Sequence, residues 1–191
     1  MALWLASDHH FGHANIFMKY CRKTRPFETL EEMHTQLIAR WNEVVAPDDE
    51  VIVVGDMIAT RRPDRALMVG MLSMLHGTKS LVRGNHDPGD SIFMEAGFTS
   101  CEDHIWMPKE RILIIHKAPD IKYGASELRI AQSLQPELVI HGHDHRHDVP
   151  EKPRCLNVCV DRWDLRPVSW AHVETRMAAA AAETGTWAAI S

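Results

Sequence analysis

The chain has 191 residues, 45% hydrophobic and 25% charged, with a formal net charge of −5. That length can bury one core without a disulfide scaffold, and the composition excludes disordered and low-complexity classes. Net acidity argues against a general grip on nucleic-acid backbones, so no strong nucleic-acid binding is expected.

Residues 2–7 read as a strand that runs into Asp8-His9-His10-Phe11-Gly12-His13. Thr29-Leu30-Glu31-Glu32 has the form of a capping box, and Met33, Leu37, Ile38, Trp41 and Val44-Val45 follow at helical spacing until Ala46-Pro47. Residues 50–54 form an aliphatic strand before Gly55-Asp56, and Pro63 opens a second helix closed by Gly77. Residues 80–82 lead into Arg83-Gly84-Asn85-His86-Asp87, and residues 111–115 lead into His116. A helix is expected over 126–133, then a strand over 137–140 before His141-Gly142-His143-Asp144-His145. Strands are expected at 155–160 and 168–173, close enough to pair directly, which predicts a more antiparallel late portion. The alanine run at 178–182 predicts a terminal helix stopped near Gly185, so the chain divides into residues 1–173 and an Ala-rich tail, 174–191. Strand and helix alternate, which gives an α/β or α+β class.

Cys21, Cys101, Cys155 and Cys159 follow no zinc spacing and read as small buried hydrophobes in a reducing compartment. No apolar run approaches 18 residues and no signal peptide is visible, so a cytoplasmic protein without a membrane span is expected.

The chain holds 13 histidines, and histidine is the commonest metal ligand. Five polar clusters each follow a hydrophobic strand, and in α/β sheets the carboxyl ends of strands open onto a shared crevice. The clusters bring Asp8, His10, Asp56, Asn85, His86, His116, His143 and His145. Alternation along an extended segment would put Asp8 and His10 on one side, and likewise His143 and His145, while Asp144 points away. Imidazole and carboxylate with one amide suit Mn²⁺, Fe or Zn²⁺ and not a thiolate site. The donors exceed what one ion takes, so two ions sharing a carboxylate are implied. Such pairs, about 3.5–4 Å apart, clamp the attacking and leaving oxygens of a phosphoryl transfer.

Asp8-x-His10, Gly55-Asp56, Gly84-Asn85-His86-Asp87, His116 and Gly142-His143-Asp144-His145 together resemble the calcineurin-like metallophosphoesterases. Asp8-His9-His10-Phe11-Gly12-His13-x-Asn15-Ile16, Arg25-Pro26-Phe27 and Asn157-Val158-x-Val160-Asp161 are similar to a compact bacterial and phage-type branch. The resemblance implies a single-domain, four-layer αββα sandwich with a dinuclear site at its crest. It implies that Asp8, His10 and His145 hold a first ion, that Asn85, His116 and His143 hold a second, and that Asp56 bridges them. Manganese is the first expectation, with Fe, Zn²⁺, Ni²⁺ or Co²⁺ as alternatives. His86 would contact the substrate phosphate and protonate the leaving oxygen, after in-line attack by a metal-bridging hydroxide.

One position departs from the pattern. Many relatives carry Gly-Asp-x-x-Asp, whose second Asp orients the catalytic histidine, and here Ala59 stands there. His86 then lacks that partner or takes another, for example Asp87. His13 and Asn15 are expected to line the site, His141 to support it, and Arg61, Arg83, Lys117 and Arg146 to be candidate phosphate contacts. His9, His34, His76, His104, His147 and His172 are read as structural. The short chain leaves little room for a cap domain, so an open site of modest selectivity is expected. It would act on a small phosphodiester such as a 2′,3′-cyclic nucleotide, whose strained ring depends least on a strong general acid. A phosphomonoesterase or a nuclease would share the same ligands, and a non-catalytic scaffold would keep the fold without needing them.

Overall fold

Aliphatic residues fill both faces of the central strands because layers cover both faces. The computed structural model describes residues 1–60, 62–120, 124–181 and Trp187. In chain order the strands are β1 (Leu3–Ala6), β2 (Glu50–Val54), β3 (Thr78–Val82), β4 (Phe98–Glu102), β5 (Ile105–Met107), β6 (Ile112–Ile114), β7 (Leu138–His141), β8 (Cys155–Asn157) and β9 (Val168–Ser169). The α-helices are α1 (Leu30–Val44), α2 (Arg65–Ser73), α3 (Ser91–Glu95), α4 (Ala125–Leu134) and α5 (Trp170–Ala180), and a π-helical turn spans Ile16–Tyr20. Among the described residues the strands form two sheets, ordered β4-β3-β2-β1-β9 and β5-β6-β7-β8.

Period-two alternation sorts the side chains into layers. Leu5, Val54 and Val82 of the first sheet meet Ile112, Ile114, Leu138, Ile140 and Leu156 of the second in an inter-sheet core. The opposite face of the first sheet, with Ala6, Val51, Val53 and Leu81, packs on Met33, Leu37 and Trp41 of α1 and on Met68, Met71 and Leu72 of α2. The outer face of the second sheet presents Leu113, Val139 and Cys155 to Ala131 of α4 and to Trp187. Helix, sheet, sheet, helix is the expected four-layer α/β sandwich.

Local chemistry sets the helix ends. The Thr29 side chain accepts the Glu32 N–H at 3.1 Å, while the Glu32 carboxylate returns to the N–H of Glu28, one residue before the cap. The second helix starts two residues later than Pro63, with Asp64 as its cap accepting the Leu67 N–H at 3.1 Å.

Two expectations about the late region are corrected. The segments at 155–160 and 168–173 do not pair: β8 runs parallel to β7, while β9 runs antiparallel to β1 in the other sheet. The later segment is also a strand for only two residues, because α5 begins at Trp170 and puts Val173 and Ala180 into the inter-sheet core. The late sheet is thus mainly parallel, with β5 antiparallel at its edge. No described helix is long and apolar enough to cross a membrane.

β1, β2 and β3 are parallel neighbours, as are β6 and β7, so their carboxyl ends share an edge within each sheet. Ser7 joins the two edges, its N–H donating to the Val158 carbonyl at 3.1 Å. The polar clusters meet along that seam.

Candidate metal centre

Sharp backbone turns present the candidate ligands. Asp8, His10, Asp56 and His143 adopt φ of +61°, +57°, +52° and +67°. The left-handed region costs a non-glycine residue roughly 1–2 kcal/mol, so surrounding structure must enforce it. The enforcement is visible: Asp8 N–H donates to the Gly55 carbonyl at 2.9 Å, and His10 N–H donates to the Asp56 carbonyl at 3.0 Å. Asp8 and His10 therefore converge through two left-handed residues, which corrects the expectation of an extended, alternating segment. Close loop packing also demands glycine at Gly84, where a Cβ would lie 2.2 Å from both the nitrogen and Oδ1 of Asp56.

The two carboxylates divide their oxygens in the same way. Asp8 Oδ2 accepts the Ser7 hydroxyl at 2.6 Å and the His143 N–H at 2.8 Å, while its Oδ1 is buried without a hydrogen-bond partner. That free oxygen lies 3.8 Å from His10 Nε2 and 3.7 Å from His145 Nε2. Asp56 Oδ1 accepts the His86 N–H at 2.8 Å, and its Oδ2 lies 3.7 Å from His10 Nε2 and 3.4 Å from His116 Nε2. Donor atoms of Asp8, His10 and His145 lie within 4.8 Å of one another, as do those of Asp56, His116 and His143.

These residues fit divalent ions. His10 Nε2 and His116 Nε2 are buried and unpartnered like Asp8 Oδ1, so the converging lone pairs await a cation. Two donors each about 2.1 Å from a tetrahedral ion stand about 3.4 Å apart, close to the separations seen.

A second layer fixes the ligand orientations, and sequence reasoning gave it no role. The Asp161 carboxylate lies 2.6 Å from His145 Nδ1, so His145 points Nε2 at Asp8. Arg25, wholly buried, donates to both oxygens of Asp161 at 2.9 and 2.8 Å and to the carbonyls of His9 and Asp8 at 2.7 and 2.6 Å. One guanidinium thus ties the first ligand turn to the support of the last ligand. The Arg25-Pro26-Phe27 and Asp161 motifs carried the only signal for this pair. Cys159 Sγ lies 3.5 Å from His145 Nδ1, and Cys21 clusters with His145 and Asp161, so two of the thiols flank the site. On the other side His116 Nδ1 contacts the Val54 carbonyl at 2.9 Å, which aims Nε2 at Asp56.

Protonation follows from these contacts. Burial opposes charge on Asp161, but Arg25 and His145 hold its carboxyl well below the usual range. Burial likewise opposes charge on Asp56, and His116 holds it low. Against its own burial, that contact raises His116 in turn to about 9, so an ion bound there would displace its proton. Burial brings His10 down to about 4, which leaves its lone pair available for a cation.

The remaining candidates fall in distinct places. The His86 side chain is 50% exposed at the mouth, with Nε2 4.0 Å from Asp56 Oδ2 and its ring 5.4 Å from that of His10. Asp87 does not orient it. The Asp87 carboxylate accepts the backbone N–H groups of Asp56, Met57, Ile58 and Gly84 at 2.8, 2.8, 3.1 and 2.8 Å, and so anchors the Asp56 loop. Ala59 is buried and offers no carboxylate. Asn85 is exposed on the same loop as His86. His13 Nδ1 lies 3.2 Å from His10 Nδ1, whereas Asn15 is exposed at the start of the π-helical turn. Asp144 pairs with Arg146 at 2.6 Å, and Arg83 pairs with Asp90 and Asp103 at 2.7 and 2.8 Å. His141 is buried against the Gly142 carbonyl at 2.8 Å. Lys117 lines a cavity beside His143, and Arg61 lies outside the described residues.

The chain is similar to known proteins in sequence and in fold. The calcineurin-like phosphoesterase superfamily domain matches residues 1–160. An uncharacterized protein of Methanocaldococcus jannaschii is 32% identical over 173 residues, covering 87% of this chain and 86% of its own. The gene 66 protein of Mycobacterium phage L5 is 31% identical over 185 residues, covering 84% and 86%. The crystal structure of a protein of unknown function from Aquifex aeolicus superposes with a TM-score of 0.74 at 24% identity, covering 92% of this chain and 98% of its own. With the domain match running from the first ligand turn past the last, this chain belongs to the calcineurin-like phosphoesterase superfamily.

Proposed function

We propose that the protein is a dinuclear, metal-dependent phosphodiesterase acting on small phosphodiesters, with 2′,3′-cyclic nucleotides as the leading substrates. The observation that carries this reading is Asp56 Oδ2, which faces His10 of one donor set at 3.7 Å and His116 of the other at 3.4 Å. A pair of divalent ions at these donors, manganese first, would polarise the phosphoryl oxygens and lower the pKa of water for attack on phosphorus.

The chain's own residues do the rest. Asp8, His10 and His145 would hold one ion, and Asn85, His116 and His143 the other, with Asp56 shared. His86 stands half-exposed beside Asp56, where its imidazole can meet a substrate oxygen and give it a proton. Asp56 at 4.0 Å is the only carboxylate recorded beside it among the described residues, and that oxygen is a metal donor. A weakly supported acid suits a leaving group that needs little protonation, and ring strain in a cyclic diester supplies that condition. Free thiols at Cys21, Cys101 and Cys159 suit a reducing compartment such as the cytoplasm.

A panel of phosphomonoesters, linear diesters and cyclic diesters, assayed with and without Mn²⁺, tests the reading. It expects metal-dependent turnover with the cyclic diesters fastest. Preference for monoesters, or no turnover of any ester by metal-loaded protein, overturns it.

A further inference from the structure

Net charge averages over the whole surface, and one cleft departs from the average. The π-helical turn and the residues after it face the 145–148 loop across a cleft of about 410 Å³, and His145 forms part of its wall. Lys19, Arg22 and Lys23 line the cleft, all three exposed, and none has an acidic partner among the described residues. Asp148 is the one carboxylate in that lining. A neighbouring cavity beside His143, which shares Arg146 with this cleft, is different. There Lys152 pairs with Asp120 at 2.9 Å, Arg146 with Asp144 at 2.6 Å and Arg162 with Glu151 at 3.0 Å. Three unmatched cations beside a metal-ligand histidine, in a chain of charge −5, make a local anion site.

An aromatic path joins this cleft to the centre. The Tyr20 side chain lines the cleft and is 70% exposed. Its ring lies 6.2 Å from that of His13, which lies 6.3 Å from that of His86. Exposed aromatic rings between basic side chains stack bases while the cations take phosphates.

Resting on the phosphodiesterase reading above, we infer that this cleft takes a second phosphate of the substrate, with Tyr20 stacked on its base. The preferred substrate is then a nucleotide-type diester that carries a further phosphate on the Lys19–Lys23 side. Arg22 and Lys23 bind that group, and they act on affinity rather than on the reacting phosphorus.

The test compares adenosine 3′-monophosphate with adenosine 3′,5′-bisphosphate by calorimetry on the Mn²⁺-loaded protein. The wild type is expected to bind the bisphosphate about tenfold more tightly, the effect of one charge-assisted contact. The double variant Arg22→Ala, Lys23→Ala should bind the two ligands equally, and 0.5 M salt should erase the preference. Tyr20→Ala should weaken both nucleotides by a similar factor, about tenfold, since the ring meets the base. Equal affinities in the wild type, or a preference that survives the double variant, overturn the inference. A dinucleotide bearing a 3′-phosphate separates the sources of the second phosphate. Tighter binding than the bisphosphate points to an oligonucleotide end, and equal or weaker binding to a bisphosphorylated mononucleotide. Turnover of bis(p-nitrophenyl) phosphate, which has neither base nor second phosphate, tests the hydrolase reading separately in the wild type. Its absence in the wild type would count against the hydrolase reading, while the binding comparison would still decide the cleft.

Discussion

Asp8 accepts the backbone N–H of His143 through Oδ2 at 2.8 Å, across 135 residues of sequence. The bond fixes the last ligand loop to the first and leaves Oδ1 of the same carboxylate facing His10 and His145. One oxygen of this side chain holds the two loops together, and the other remains a candidate metal donor. Gly142 makes this approach possible, because a Cβ there would lie 2.3 Å from Ser7 Oγ and 2.5 Å from Asp8 Oδ2. Gly142→Ala should therefore move Asp8 and weaken metal binding by roughly 10–100-fold, as losses next to a ligand do, with the fold retained. Titration of the variant with Mn²⁺ beside circular dichroism checks this. Unchanged affinity would show that the loop yields without disturbing Asp8.

Arg25 and Asp161 form a fully buried ion pair at 2.8 Å. Removing one partner strands the other charge without solvent, so Arg25→Met should cost about 3–5 kcal/mol of stability. Asp161→Asn strands the Arg25 charge in the same way and also weakens the hold on His145 Nδ1, so it should lower stability and metal affinity together. Urea midpoints and metal titration of both variants separate the two effects.

His86 is the candidate general acid and stands outside all three of the three-residue donor groups found among the described residues. His86→Ala should retain metal stoichiometry. Its rate loss should depend on the leaving group, reaching about 10²–10⁴-fold for an alkoxide and staying small for a nitrophenolate. Equal losses on both leaving groups would assign His86 to charge stabilisation. Loss of a bound ion would make it a ligand.

Asp49 gives a pH-dependent part of stability away from the site. The N–H groups of Ala2 and Ala46 and the indole N–H of Trp4 donate to its carboxylate at 2.6, 3.0 and 3.0 Å, and they hold its pKa below the ordinary value. A depressed carboxylate contributes stability that is present above its unfolded pKa, about 3.9, and is lost as pH falls through the folded value. Asp49→Asn should therefore be less stable than the wild type at pH 7, with the gap closing towards pH 3. Denaturation midpoints across that range test it, and a gap independent of pH would contradict it.

The strands that feed the site were legible because their aliphatic runs end abruptly in polar clusters, as at Val54 before Gly55-Asp56. β4 and β5 were not, because Thr99, Ser100 and Glu102 dilute one and the other is three residues long. Pairing Asp8 with His10 came from an extended-chain argument, yet the structure joins them through left-handed backbone that residue types other than glycine do not advertise. Asp87 looked like a substitute for the carboxylate missing at Ala59, but its four backbone hydrogen bonds anchor the Asp56 loop. Arg25 and Asp161 are 136 residues apart, and local pattern carries no register for a contact of that range.

The central claim is that one carboxylate serves two ions. Elemental analysis of Mn²⁺-loaded wild type and Asp56→Ala, each assayed on bis(p-nitrophenyl) phosphate, tests it most directly. Two ions per chain and turnover are expected in the wild type, with metal and turnover lost together in the variant. Two tightly held ions and normal turnover in Asp56→Ala would contradict it.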